Sequence, residues 1–217
     1  MVSAAPADVL RRQLRLYLVT DQALTRGRSL EDVVAAAVAG GVGCVQLREK
    51  ALATGEFLAR AVALKRLLAP VGVPLVINDR IDVALACGAD GVHLGQSDLP
   101  PEEARRLLPP HVFIGWSVET PEDVRRAASL PVDYLGVSPV FATPTKTDTR
   151  PAWGLAGLRQ VRAMTALPLV AIGGIHCGNA AEVLRAGADG LAVVSALCAA
   201  DDPRAAAQAM QEQMRAM

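Results

Sequence analysis

Short apolar runs alternate with longer segments of mixed polarity along the whole chain. The apolar runs fall at 14–20 (LRLYLVT), 44–48, 75–77, 92–94, 113–116, 134–137, 169–172 and 191–194. Runs without polar alternation imply strands buried on both faces, as in a parallel sheet. The segments between them read as helices. Ser29 caps one over 30–39, with Asp32 as an imperfect capping box and Gly40 and Gly41 as the stop. Phe57, Leu58, Ala61, Leu64, Leu67 and Leu68 recur at helical spacing within 54–68. Further helices are predicted over 80–87, 101–108, from Thr120 with Pro121 and Asp123 behind it, over 154–164, from about Asn179 to Gly187, and over 202–217.

Eight strands and eight helices in strict alternation predict an α/β protein. Three helix-to-strand junctions look alike: GGVGCVQLR from 40, CGADGVHLG from 87 and AGADGLAVV from 186. This internal repeat favours a closed (β/α)8 TIM barrel over an open doubly wound sheet, and no GxGxxG follows the first strand. No stretch resembles a linker, so 1–217 is expected to form a single domain.

Composition narrows the partners. The 217 residues carry 22 basic and 22 acidic side chains, and aromatics make up only 3%. That balance offers neither a basic stripe for nucleic acid nor aromatic platforms for bases. No apolar stretch reaches membrane-spanning length and no signal peptide is evident, so a cytoplasmic protein is expected. Cys44, Cys87, Cys177 and Cys198 are widely spaced and read as buried free thiols. A homo-oligomer stays open.

In a TIM barrel the active site lies at the carboxyl ends of the strands. Those ends are polar here: Gln46, Arg48 and Lys50; Asn78 and Asp79; Gln96 and Asp98; Ser117; Thr143, Thr145 and Lys146; Gly173 and Gly174; Ser195. The opposite ends, such as Val73-Pro74 and Leu167-Pro168, are plain. Gln46, Arg48 and Lys50 are spaced by two and point to one side of an extended strand. Paired cations there need an anion, and Arg48 suits a phosphate, with pairing to a structural carboxylate as the alternative. Asp79 and Asp98 suggest Mg²⁺ bridging to a diphosphate. Alternatively, Asp79 caps a helix and Asp98 forms a turn. His93, mid-strand, reads as a core or supporting histidine rather than a metal ligand. The loop GVSPVFATPTKTDTRPAWG at 136–154 reads as an ordered anion site or as a plain solvated loop. Gly173 and Gly174, with the backbone at Val194 and Ser195, suit a second, monophosphate site, the glycines serving a tight turn otherwise. Two anion sites imply two phosphorylated substrates or one doubly phosphorylated one.

QLREK at 46–50, ND at 78–79, HLGQSD at 93–98, SPVFATPTKTD at 138–148, AIGGI at 171–175 and GADGLAVVSAL at 187–197 resemble the thiamine-phosphate synthase family. The resemblance implies a TIM barrel that joins 4-amino-2-methyl-5-(diphosphooxymethyl)pyrimidine to hydroxyethylthiazole phosphate. Thiamine monophosphate and pyrophosphate are the products, with CO2 when the thiazole is carboxylated. Carried over, Gln46, Leu47, Arg48, Glu49, Lys50, Asn78, Ser117 and Lys146 resemble the contacts to the pyrimidine diphosphate. Asp79 and Asp98 resemble the Mg²⁺ ligands. Thr143, Pro144, Thr145, Gly174, Val194 and Ser195 resemble the thiazole phosphate contacts. Arg48, Lys50, Ser117 and Lys146 form the implied catalytic set. The family's usual proline is Ala142 here, and Ala192 stands where relatives can carry serine. Rival readings are an isomerase of the same fold, a phosphosugar isomerase or epimerase, and a ligand sensor without turnover.

Overall fold

The computed structural model describes residues 7–143 and 151–215. Eight parallel strands close on themselves in sequence order: β1 (Leu16–Val19), β2 (Cys44–Leu47), β3 (Leu75–Asn78), β4 (Gly91–Leu94), β5 (Phe113–Val118), β6 (Tyr134–Val137), β7 (Leu169–Ile172) and β8 (Gly190–Val193), with β8 pairing back to β1. The expected TIM barrel is the observed fold, and the open sheet is excluded by the closing ladder.

The helices are α1 (Ala7–Gln13), α2 (Leu30–Ala39), α3 (Thr54–Leu68), α4 (Ile81–Cys87), α5 (Pro101–Leu107), α6 (Pro121–Ala127), α7 (Gly154–Met164), α8 (Ala180–Arg185), α9 (Ser195–Cys198) and α10 (Pro203–Arg215). Ser29 Oγ accepts the Asp32 N–H at 3.0 Å, and Thr120 with Asp123 completes a capping box. α9 is a single turn after β8, at the helix start expected from Val194 and Ser195. α1 is not foreseen by the sequence reading. α1 sends Leu10, together with Leu14 beyond its end, into the barrel interior beside Tyr17, Cys44 and Val170. It plugs the amino end of the barrel, where burial of each leucine contributes roughly 1.5–3 kcal/mol.

Two apolar layers result. One lies between sheet and helices and holds Leu47, Phe57, Leu64, Ile77 and Ile114. The other fills the barrel, with Tyr17 and Tyr134 among its members. Cys44 and Cys198 are buried, whereas Cys87 and Cys177 are only partly so, and all four are free thiols. No helix among the described residues is long and apolar enough to cross a membrane.

The internal repeat has a structural basis that glycine matching only half exposed. An aspartate precedes each even strand from β4 onward: Asp90, Asp133 and Asp189. Its carboxylate accepts the N–H of a residue at the start of the preceding strand, at 2.8 Å from Leu75, 2.7 Å from Ile114 and 2.8 Å from Leu169. Its own N–H returns to the carbonyl of the same residue, at 2.9, 2.8 and 2.8 Å. Lys65 pairs with Asp90, and both Arg162 and Arg11 with Asp189. The junction at 40 lacks this aspartate and belongs to a different class.

Candidate active site

A cavity of about 540 Å³ opens at the carboxyl ends of the strands. The alternation of β2 and its continuation decides what enters it. Gln46, Arg48 and Lys50 line the cavity. Leu47 turns outward into the helix-facing core, and Glu49 turns outward to pair with Arg60 of α3. The side chains of Leu47 and Glu49 are therefore not brought to the pocket. Thr20 holds the extension in place: its N–H donates to Gln46 O at 2.9 Å, and its hydroxyl accepts the Arg48 N–H at 3.1 Å. The Arg48 guanidinium has no ion pair among the described residues.

Asn78 and Asp79 end β3 at the cavity wall. The Asn78 amide nitrogen is buried and has no hydrogen-bond partner among the described residues. A donor buried without a partner is costly, so this one is aimed at a group the described residues do not supply. Asp79 sits at φ 63°, a left-handed conformation seldom adopted by a non-glycine residue. It does not cap α4, whose first turn has no side-chain cap. It pairs with Lys50 instead and touches Asp98. Asp98 does make the alternative turn, accepting the Gly95 N–H at 2.6 Å, and still lines the cavity.

The two carboxyls are shifted in opposite directions. Burial pushes Asp98 above the usual carboxylate range, and the neighbouring Asp79 charge adds to the shift. Burial pushes Asp79 the same way, but contact with Asp98 and the Lys50 ammonium outweigh it and hold Asp79 low. The described residues contain no group of three or more His, Cys, Asp or Glu side chains able to hold a metal. Two touching carboxylates nonetheless fit Mg²⁺, which takes one or two carboxylates together with substrate phosphates.

On the far side, Gly173 (φ 104°) and Gly174 (φ 63°) line the cavity beside Val194 and Ser195. A Cβ on Gly173 would meet Pro139 at 2.8 Å, and one on Gly174 would meet Phe141 at 2.8 Å. The glycines are thus required by the loop after β6, which docks through Val140 N–H to Ile172 O at 2.8 Å. Val194 is the cap of α9, one residue beyond β8, whereas the strand was expected to run to Val194. Thr143 also lines the cavity, whereas Pro144, Thr145 and Lys146 lie outside the described residues, as do Asp148 and Arg150.

Ser117, at the end of β5, is 2.9 Å from His93 Nε2, and His93 Nδ1 is 2.9 Å from the Tyr134 hydroxyl. The supporting role read for His93 matches this placement. Tyr17 and Tyr134 line the cavity too and were not singled out, because an aromatic inside an apolar run reads as core. Glu119 and His176 are further lining residues outside the predicted set.

A parallel barrel with cations, carboxylates and an unmet donor at its carboxyl ends defines a TIM-barrel enzyme acting on anionic small molecules. A family model for thiamine monophosphate synthase matches residues 16–197. A thiamine-phosphate synthase of Albidiferax ferrireducens is 76% identical over 205 residues, covering 94% of each chain. One of Leptospira biflexa is 53% identical over 202 residues, covering 91% of this chain and 96% of its own. The solved structure of a thiamine phosphate pyrophosphorylase from Pyrococcus furiosus superposes with a TM-score of 0.88 at 39% identity, covering 95% of this chain and 98% of that one. The chain belongs to the thiamine monophosphate synthase family, and thiamine-phosphate synthesis, a transferase reaction of thiamine biosynthesis, is its function.

Proposed function

We infer that the cavity works as two half-sites. The half built from β2 to β5 takes the pyrimidine diphosphate, and the half at β7 and β8 takes the thiazole phosphate. The observation that carries this reading is the set of unanswered groups on one side: the Asn78 donor and the Arg48 cation, beside two carboxylates in contact. A diphosphate with its counter-ion answers all of them at once.

Asp79 and Asp98 would hold Mg²⁺. Bound there, the ion would neutralise charge on the leaving diphosphate. Arg48, Lys50 and, from the loop outside the described residues, Lys146 add fixed positive charge for the same purpose. Lys50 is held by Asp79 in the free protein and is released toward phosphate when that carboxylate is otherwise engaged. The aminopyrimidine ring spreads positive charge on its methylene as the diphosphate departs. The thiazole nitrogen then supplies its lone pair to that carbon. It carries no proton to remove, so the site needs no strong general base, and much of the acceleration comes from holding the partners together. Backbone N–H groups near Gly174, Val194 and Ser195 would anchor the thiazole phosphate.

Turnover of the two purified substrates tests this. Pyrophosphate is expected in step with thiamine monophosphate, only with both substrates present, and only with a divalent cation. Undiminished turnover in a chelator would remove the metal from the mechanism.

A further inference from the structure

A row of hydrogen bonds crosses the floor of the cavity and joins two groups assigned above to the pyrimidine half-site. Gln46 Nε2 donates to the Tyr17 hydroxyl at 2.9 Å. The Tyr17 and Tyr134 hydroxyls are 3.1 Å apart. Tyr134 continues to His93 Nδ1, and His93 Nε2 to Ser117 Oγ, each at 2.9 Å. The five residues come from β1, β2, β4, β5 and β6, so only the closed barrel assembles them.

The rings are seated with little freedom. Tyr134 lies over Gly115, where a Cβ would fall 2.0 Å from its ring, and His93 lies over Gly136, where a Cβ would fall 2.9 Å from its ring. The His93 and Tyr134 rings are 5.5 Å apart between centroids. Each glycine stands on a strand where any side chain would expel the ring beside it.

Burial then fixes the sense of the row. Tyr17 and Tyr134 are almost fully buried, and burial above all lifts both phenols well beyond their ordinary range, so each keeps its proton. An amide nitrogen only donates, so Tyr17 accepts from Gln46, and its own proton turns to the Tyr134 hydroxyl, a better acceptor than the neighbouring Cys44 thiol. Tyr134 in turn donates to His93 Nδ1. The histidine proton is therefore on Nε2 and is donated to Ser117 Oγ. The Ser117 proton is left to point away from His93, into the cavity. At the other end, Gln46 Oε1 is left as an acceptor.

We propose that Tyr17, Tyr134 and His93 form a one-way relay that makes Gln46 a carbonyl acceptor and Ser117 a hydroxyl donor toward the ligand. The three are positioning residues. Their effect is selectivity: an exocyclic amino group is welcomed at Gln46, and a ring bearing an oxo group there meets acceptor against acceptor. Ser117 meanwhile favours a phosphate oxygen or an unprotonated ring nitrogen. The proposal rests on the assignment of Gln46 and Ser117 to the pyrimidine half-site.

The tautomer is tested in the free protein by two-bond ¹H–¹⁵N correlation on ¹⁵N-histidine samples, with His111 and His176 substituted in turn to assign the signals. His93 is expected as the neutral Nε2–H form at neutral pH, and a neutral Nδ1–H ring or an imidazolium overturns the relay. Kinetics supply the second arm. In Tyr134→Phe, KM for the pyrimidine diphosphate should rise about tenfold with KM for the thiazole phosphate unchanged. Selection against the 4-oxo analogue should weaken in the same variant. Tyr17→Phe, which removes the direct partner of the Gln46 amide, should weaken that selection at least as much. Unaltered constants in both variants overturn the relay. Gln46→Ala separates the two claims. If it leaves the pyrimidine KM unchanged, the half-site assignment fails and the relay's role in selectivity fails with it, whatever tautomer His93 shows.

Discussion

Carboxylates stand at both ends of this barrel, and their surroundings differ. At the amino end, Asp90, Asp133 and Asp189 each accept a backbone N–H from the preceding strand, and Asp90 and Asp189 also hold a cation of a neighbouring segment. At the carboxyl end, Asp79 and Asp98 lean on each other, with a strained backbone at Asp79. The first set is answered from within the chain and supports the fold. The second is arranged at a cost that folding alone does not explain, as expected where a ligand completes the site.

Removing charge at the two ends should therefore have opposite effects. The largest is expected from Asp79→Asn, which should lower kcat/KM about a thousandfold while leaving the melting temperature close to the parent's. Arg48→Ala should follow, with a loss of about a hundredfold that inorganic pyrophosphate binding by calorimetry would share. At the amino end, Asp189→Ala should cost about 2–3 kcal/mol in urea unfolding, because it orphans the Leu169 N–H and releases Arg162. Turnover at a permissive temperature should be unchanged. A variant at either end that showed the other's behaviour would erase the distinction.

The smallest effect is the most specific. Asp98 is raised above its unfolded value, so the stability tied to its protonated form is complete below the unfolded value and is lost as pH rises through the folded one. Asp79 is lowered, so its contribution has the opposite sign and is lost as pH falls through its folded value. Metal-free Asp98→Asn should thus be more stable than the parent at neutral pH, by up to about 1 kcal/mol, and the gain should vanish toward about pH 4. Thermal melts across that range would read it. Equal stability at every pH would mean that the two carboxyls do not interact.

Much of this architecture is legible in the sequence because apolar runs of four or five residues, bounded by glycine and proline, have few other uses. The ranges read for β6 (Tyr134–Val137), β7 (Leu169–Ile172) and α2 (Leu30–Ala39) coincide with those observed. α1 was missed because one leucine inside a seven-residue helix leaves no period to detect. The aspartate clamp was half seen: matching on glycine joined the junction at 40 to those at 87 and 186, and passed over Asp133, which has no glycine beside it. At the site, spacing by two correctly separated Gln46, Arg48 and Lys50 from their neighbours, whereas the family pattern alone had kept Leu47 and Glu49. The tyrosines could not be read at all. Their partners lie 29 and 117 residues away, and only barrel closure makes a core aromatic into a polar one.

Binding of Mn²⁺ in place of Mg²⁺, followed by electron paramagnetic resonance, tests the contrast between the two ends most directly. With the pyrimidine diphosphate present, one ion per chain is expected, lost in Asp79→Asn and retained in Asp189→Asn. Binding that is indifferent to Asp79, or that Asp189→Asn abolishes, would contradict the assignment of the carboxyl-end pair as the metal site.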